Sequence, residues 1–356
     1  GIKNFTKLIN CNKYMNVLNN SKIKFALLGC SRISKKHIEA INNFNKRCVL
    51  QDVCDINPIA LQETQSITSA NAYSDYREML EKTDADCLII TTPNGLHYSQ
   101  TIDASNAGLH VITEKPMAVN VKDAEEMIKI SKENNTQLFV VKQVRFAEPI
   151  QMIKNALKSD KFGKLYMVNL NVFWTRPQEF YDTADWRGSL EMDGGTLLNQ
   201  GSHYIDLIDW LFGPVTEISS YCSTLGRNIE SEDSSVINLK LKDGSLGSIA
   251  ITVLTYPSNL ECSLTIIGEK GTVKLGGPSL NKFKKWQFKE MSDFDNSVEK
   301  IAEYPSGFSH APYYENILNV LQSGKKPETD GYEGIKSLKI IEAAFKSNKL
   351  KKSINI

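Results

Sequence analysis

The strongest constraint on this chain is a series of short, mostly apolar runs, separated by amphipathic stretches, in its N-terminal part. Ile23–Leu28, Cys48–Cys54, Ala85–Ile90, His110–Thr113 and Gln137–Val141 read as buried strands. Stretches at about 35–44, from Asn57-Pro58 onward, at 97–107 and at 121–134 read as the helices between them. A strand apolar on both faces needs cover on both, and a parallel sheet flanked by helices supplies it. Residues 22–144 are therefore expected to form one α/β domain of Rossmann type.

The pattern changes near residue 145. A helix at 148–158 is followed by longer strand-like runs at Lys164–Phe173, Val215–Ser223, Ser234–Leu241, Leu246–Val253 and Glu261–Ile267. Glu269-Lys270-Gly271 leads into Thr272–Leu275 as a hairpin, and Lys242-Asp243-Gly244-Ser245 is the tight turn of another. Helices near 311–322 and 332–346 close the chain. Residues 145–356 are expected to be an α+β domain with a large, open, mostly antiparallel sheet that serves substrate binding and oligomerisation. Residues 1–21, rich in Asn and Lys, are expected to be an N-terminal extension with room for a short helix.

With 356 residues, 41% of them hydrophobic, the chain is long enough for two such cores. Lys plus Arg number 42 against 41 Asp plus Glu, which gives no reason to expect a nucleic-acid or anionic-membrane surface. The mean hydropathy is −0.30, and no apolar run approaches the length of a spanning helix. Seven cysteines without a CxxC pair suggest reduced thiols and a cytoplasmic protein. Lys22–Cys30 resembles a short lipoprotein signal, but its apolar stretch is brief, and cleavage before Cys30 would remove the first strand. The five histidines show no zinc-ligand spacing, so no metal is expected.

At the end of the first strand stands Gly29-Cys-Ser-Arg-Ile-Ser34, a degraded GxGxxG with Ser31 and Ser34 at the second and third positions. Such a loop, followed by a helix N-terminus, lets backbone N–H groups approach a pyrophosphate. Asp55 ends the second strand, where a carboxylate can accept both ribose hydroxyls of NAD and repel the 2'-phosphate of NADP. The alternative is that Asp55 only caps the helix beginning near Asn57-Pro58. Thr92, Pro93 and Asn94 fall at the C-terminal edge of a later strand, on the nicotinamide side. The candidate cofactor set is Gly29, Ser31, Arg32, Ile33, Asp55, Thr92, Pro93, Asn94, His97, Glu114, Lys115 and Gln143.

Glu114-Lys115-Pro116 follows the strand His110–Thr113, which places a lysine at the same sheet edge. Desolvation there lowers the lysine pKa. Farther on stands Asp193-Gly-Gly-Thr-Leu-Leu-Asn199-Gln-Gly-Ser-His203. If 197–211 is one α-helix, Asn199 and His203 are i,i+4 neighbours on one face. A histidine beside a hydride acceptor is a natural general base for oxidising an alcohol.

These elements together resemble the Gfo/Idh/MocA oxidoreductases over about residues 23–350. The resemblance implies an N-terminal Rossmann domain, a C-terminal open-sheet domain, and oxidation or reduction of sugar-like alcohols with NAD or NADP. Members commonly pair the lysine of the EKP motif with Asp-x-x-x-His. Lys115 and His203 match, but Asn199 stands at the aspartate position and cannot supply a carboxylate.

Phe173-Trp-Thr-Arg176, Tyr181, Trp186-Arg-Gly188, Asp193-Gly-Gly195 and Leu198–Asp206 further resemble the WlbA/WbpB-type sugar-nucleotide branch. In that branch an asparagine before the histidine is ordinary, and Ser31 is the departure. The branch implies oxidation of the C3 hydroxyl of UDP-N-acetylglucosaminuronic acid to the 3-keto sugar during surface-glycan biosynthesis, such as that of lipopolysaccharide or O-antigen. Lys115, His203 and Asn199 would be catalytic, with base and orienter exchangeable. Some members reoxidise NADH with 2-oxoglutarate, which makes that acid a candidate partner.

A uronate carboxylate calls for an arginine fork, for which Arg145, Arg176 and Arg187 are candidates, with Tyr181 and Tyr204 as hydroxyl donors. An open sheet implies a homodimer or homotetramer. The alternatives are a dehydrogenase of the same family acting on another sugar, nucleotide sugar or inositol, and a non-enzymatic dinucleotide-binding protein.

Overall fold

The computed structural model describes residue 18 and residues 22–305 and 309–356, so the extension expected over 1–21 lies, but for Leu18, outside the described residues. The first unit runs β1 (Ile23–Leu28), α1 (Ser34–Asn43), β2 (Cys48–Cys54), α2 (Pro58–Thr68), β3 (Asn71–Tyr73), α3 (Tyr76–Lys82) and β4 (Cys87–Ile90). It continues with α4 (His97–Asn106), β5 (His110–Thr113), α5 (Val121–Glu133) and β6 (Leu138–Val140). The six strands pair in parallel in the order β3-β2-β1-β4-β5-β6, which reverses direction at β1/β4, where an open α/β sheet binds its ligand. β1, β4 and β5 are buried almost end to end, the burial that their unbroken apolar runs call for. The short β3 and α3 had no strong periodicity to announce them.

The second unit runs α6 (Glu148–Lys158), β7 (Leu165–Phe173), α7 (Gln178–Asp182), α8 (Ser202–Phe212), β8 (Val215–Ser223), β9 (Ser234–Leu241) and β10 (Leu246–Thr252). β11 (Glu261–Gly268), β12 (Gly271–Gly276), β13 (Lys282–Phe288), α9 (Asp293–Val298), α10 (Ala311–Ser323), α11 (Gly331–Leu350) and β14 (Ile354–Asn355) complete it. Its eight strands pair in the order β13-β12-β11-β7-β10-β9-β8-β14, antiparallel except for β7 with β10. Strict alternation in β9, with Ser235, Ile237, Leu239 and Leu241 buried and Val236 exposed, packs one face on the core and leaves the other open.

Two features depart from the sequence reading. Helix α10 belongs by position to the second unit, yet Tyr313, Tyr314, Ile317, Leu318 and Leu321 pack in the core of the first, with Phe25 and Ile41. The chain thus returns to cover the N-terminal sheet. The helix expected over 197–211 is interrupted: Leu197–Gly201 forms a wider π-helical turn before α8 begins at Ser202. Asn199 therefore belongs to the π-helical turn and His203 to the first turn of α8.

Candidate active site

Gly29 has φ +97°, and a Cβ there would stand 2.9 Å from the Thr91 carbonyl carbon and 3.0 Å from Thr92 N. Only glycine lets β1 turn this close to the end of β4. Ser31 places its hydroxyl on the Thr91 carbonyl at 3.2 Å, so this second-position side chain is drawn back onto the loop. No side chain caps α1; Ser34 N and Lys36 N bond the Ser31 and Ile33 carbonyls at 3.1 and 3.0 Å, and the helix start faces the loop as a place for an anion. Arg32 is exposed beside them, and Ile33 is half-buried.

Asp55 is held by two backbone donors, Cys30 N at 2.6 Å and Asn57 N at 2.7 Å. Asn57, not Asp55, caps α2 through Ile59 N and Ala60 N. The carboxylate of Asp55 is thus fixed at the tip of β2 with acceptor capacity to spare. These features suit a dinucleotide: the pyrophosphate at the α1 N-terminus and the ribose hydroxyls on Asp55.

Thr92 donates to Gln100 at 2.6 Å, and Asn94 donates to the Asp193 carbonyl at 2.8 Å. With Gly95 N on the Met192 carbonyl at 3.0 Å, the strand-end loop after β4 is tied to the second unit. His97 and Glu114 do not sit as cofactor contacts. His97 is fully buried, with one ring nitrogen 2.8 Å from the Pro116 carbonyl and the other 2.9 Å from that of Thr92, so it pins two loops together.

The carboxylate of Glu114 is enclosed by His37 Nε2 at 2.9 Å and His310 Nε2 at 3.3 Å, and His37 Nδ1 meets the Tyr314 hydroxyl at 2.7 Å. Burial opposes the charge of Glu114, but the two imidazoles hold its pKa well below the usual range. His37, Glu114 and His310 come from α1, the end of β5 and the start of α10, a convergence that sequence spacing could not reveal.

Lys115 emerges on the far side of Glu114 and donates to the backbone carbonyl of Asn199 at 2.6 Å. Burial lowers its pKa, while Glu114 and Asp193 raise it in part. His203 is 8% exposed; its Nε2 lies 3.4 Å from the Gln143 amide nitrogen, and burial together with the charge of Lys115 pushes its pKa well down. The imidazole is therefore neutral and able to accept a proton.

The side chain of Asn199 turns away to donate to the Asp193 carboxylate, whose other oxygen accepts from Gly188 N at 2.8 Å. Asp193 is the residue that sequence reasoning passed over. It restores a carboxylate beside Lys115 and Asn199, and the Asp-Gly-Gly turn was its signal.

The arginines separate. The guanidinium of Arg145 is spent on Asp206, at 2.7 Å from both Nε and Nη2, and on Glu333 at 2.9 Å, so it is a buried structural pivot and not a free fork. Tyr204 is also a core residue, 1% exposed and edge-on to Trp174, with burial raising its pKa well above the usual range. Arg176 and Arg187 instead flank Phe180, at 5.4 and 4.3 Å from its ring centre, and neither forms an ion pair among the described residues. Burial and the neighbouring Arg32 weaken the hold of both on their protons, with Asp193 opposing this in part at Arg187. Tyr181 lies below them, 5% exposed. Buried polar atoms here with no hydrogen-bond partner include Gln143 Oε1, Tyr181 Oη, Arg187 Nε, Ser202 Oγ and His203 Nδ1. Such a concentration of unpaired groups calls for a polar ligand.

Residues 23–142 match the family model described as "Oxidoreductase family, NAD-binding Rossmann fold", and 154–356 match "Oxidoreductase family, C-terminal alpha/beta domain". The chain belongs to the Gfo/Idh/MocA oxidoreductases. The cofactor of this Gfo/Idh/MocA enzyme is NAD, in keeping with Asp55.

A WlbA dehydrogenase from Bordetella pertussis, solved with NADH and UDP-GlcNAcA, is 45% identical, covers 95% of this chain and 99% of its own, and has a TM-score of 0.90. Its counterpart from Chromobacterium violaceum, with the same two ligands, is 46% identical over 96% and 99%, with a TM-score of 0.91. Among curated proteins, the NADP(+)-linked scyllo-inositol 2-dehydrogenase IolW of Bacillus subtilis is 27% identical over 86% of this chain and 90% of its own.

Proposed function

We propose that this enzyme oxidises the C3 hydroxyl of UDP-N-acetylglucosaminuronic acid to the 3-keto sugar, with NAD as acceptor. The observation that carries the reading is the Arg176/Arg187 pair, two half-buried guanidiniums with no ion pair among the described residues, Arg176 within the field of Lys115 and Arg187 within that of Asp193. A carboxylate or diphosphate on the substrate is the group such a pair suits. Similarity to the two WlbA enzymes solved with UDP-GlcNAcA supports the same substrate.

When bound, NAD accepts the hydride that leaves the carbinol carbon. The protein's part is to hold that carbon's hydroxyl between Lys115 and His203 and to take its proton. His203, neutral at physiological pH, is the base in this reading. Lys115 donates to the oxygen and stabilises the charge that develops there. Asp193 fixes Asn199, and the Asn199 carbonyl in turn orients Lys115. The open face of the eight-stranded sheet, where Met167, Val236, Leu246 and Ile267 are exposed, is proposed as the contact between copies in a homodimer or homotetramer.

The curated relatives that act on inositol or apiose favour a second reading, a neutral polyol as substrate. Mass spectrometry of purified protein incubated with NAD and UDP-GlcNAcA, UDP-GlcNAc or myo-inositol separates the two. A product lighter by two hydrogens from the uronate alone, lost in Lys115→Ala and His203→Ala, is expected. Turnover of inositol without turnover of the uronate would overturn the proposal.

A further inference from the structure

A second lysine stands beside the first. β5 and β6 pair in parallel with Thr113 opposite Val140, so Lys115 and Lys142 each follow their strand by two residues and leave the same sheet edge side by side. Lys142 is 2% exposed. Its ammonium donates to Ser337 Oγ on α11 at 2.9 Å and pairs with Asp206 on α8 at 3.0 Å. Asp206, held at about 2 by Lys142 and Arg145 against the cost of burial, stays ionised and keeps its partner charged. Lys115, Lys142, Ser202 and Ser337 line one small cavity of ≈ 10 Å³, about the space of one water molecule. Ser202 Oγ, which has no partner, belongs to that lining and gives a water there something to bind.

We propose that Lys142 is a positioning residue of the dehydrogenase site: a buried ammonium, anchored by Asp206 and Ser337, that presents a fixed positive charge to Lys115 across the shared cavity. The inference rests on the dehydrogenase reading above for its consequence in catalysis, but not for its effect on Lys115. The titratable and charged groups facing Lys142 are Asp206 and the neutral His203 on α8, Arg145 in the turn after β6, Glu333 on α11, and Lys115 itself. Those facing Lys115 are Glu114, Asp193, Arg176 and Lys142. Asp206 and Glu333 are bound closely by Arg145, so Lys142 remains a cation that Lys115 and His203 both feel. Lys142 transfers no proton to substrate; it biases the group that holds the substrate oxygen.

The test follows the side-chain carbon next to Nζ of Lys115 by NMR in lysine-labelled, full-length protein, assigned with Lys115→Arg, in the wild type and in Lys142→Met. The Lys115 midpoint is expected to rise by about one pH unit on loss of the neighbouring charge. In turnover, the alkaline fall in rate, where Lys115 loses the proton it donates, is expected to move to higher pH by the same amount, while KM and NAD binding stay within about twofold, because Lys142 is buried and its ammonium is committed to Asp206 and Ser337. Lys142→Arg, which keeps the charge, restores the wild-type profile. Should Lys142→Met not fold, Lys142→Gln keeps a donor toward Ser337 and Asp206 and permits the same comparison. An unchanged Lys115 midpoint, or a rate lowered equally at every pH, overturns the proposal. A raised midpoint in a protein that leaves UDP-GlcNAcA unoxidised would sustain it and sink the substrate assignment instead.

Discussion

Arg145, Arg176 and Arg187 look alike in the sequence, and what distinguishes them is which acids the fold brings near. Arg145 spans the turn after β6, α8 and α11, and its removal strands Asp206 in the core with Lys142 alone. Arg145→Ala is expected to cost about 3 kcal/mol in urea unfolding. The KM of the folded fraction should stay within about twofold of wild type. Arg176→Ala should behave oppositely, with KM for the uronate up about tenfold and stability changed by less than about 1 kcal/mol.

Glu232 offers a test through pH. Its carboxyl is buried against the Gly195 turn, accepts from Leu197 N at 2.7 Å, and is pushed up to about 7, chiefly by burial. The fold therefore favours the protonated acid. This stability is complete below the ordinary glutamate range and is lost as pH rises through about 7. Glu232→Gln should unfold about 2 kcal/mol harder than wild type at pH 8 and show no gain at pH 4, as thermal melts at the two pH values will show.

At the scale of elements, the regular strands and helices of the first unit were legible because their apolar periods match their burial. The turns that aim the site were less so. Gly195, at φ +97°, packs where a Cβ would run into the Glu232 carboxylate, so the turn feeding the π-helical segment tolerates no side chain. Gly195→Ala is expected to lower turnover at least tenfold, with NAD binding unchanged, because the displaced segment carries Asn199 and runs directly into α8 and His203. Stopped-flow turnover beside NAD titration would check this. The cap of α2 is a simpler case: Asn57→Ala loses two side-chain bonds to the helix start and should cost about 1 kcal/mol by denaturant unfolding. The π-helical turn had no sequence signature, since Leu197–Phe212 carries an apolar pattern compatible with one continuous α-helix.

For the whole molecule, the open sheet face is the proposed surface of association. Val236 is 50% exposed at the middle of β9, and Val236→Glu is expected to convert the oligomer to monomers in light scattering while each copy retains NAD binding. A monomeric wild type would show that the face has another use. No helix among the described residues is long and apolar enough to cross a membrane. The sequence by itself determined the alternating parallel unit, the strand-rich second unit, and the Gly29, Asp55, Lys115 and His203 positions, because periodicity and motif spacing are local properties. Tertiary structure alone decided that Arg145 and Tyr204 are core, that His97 and Glu114 are pins, that Asp193 supplies the missing carboxylate, and that α10 closes the first sheet. Each of those outcomes depends on which distant groups share a desolvated volume, and a polar side chain's role is set by the partner it finds there.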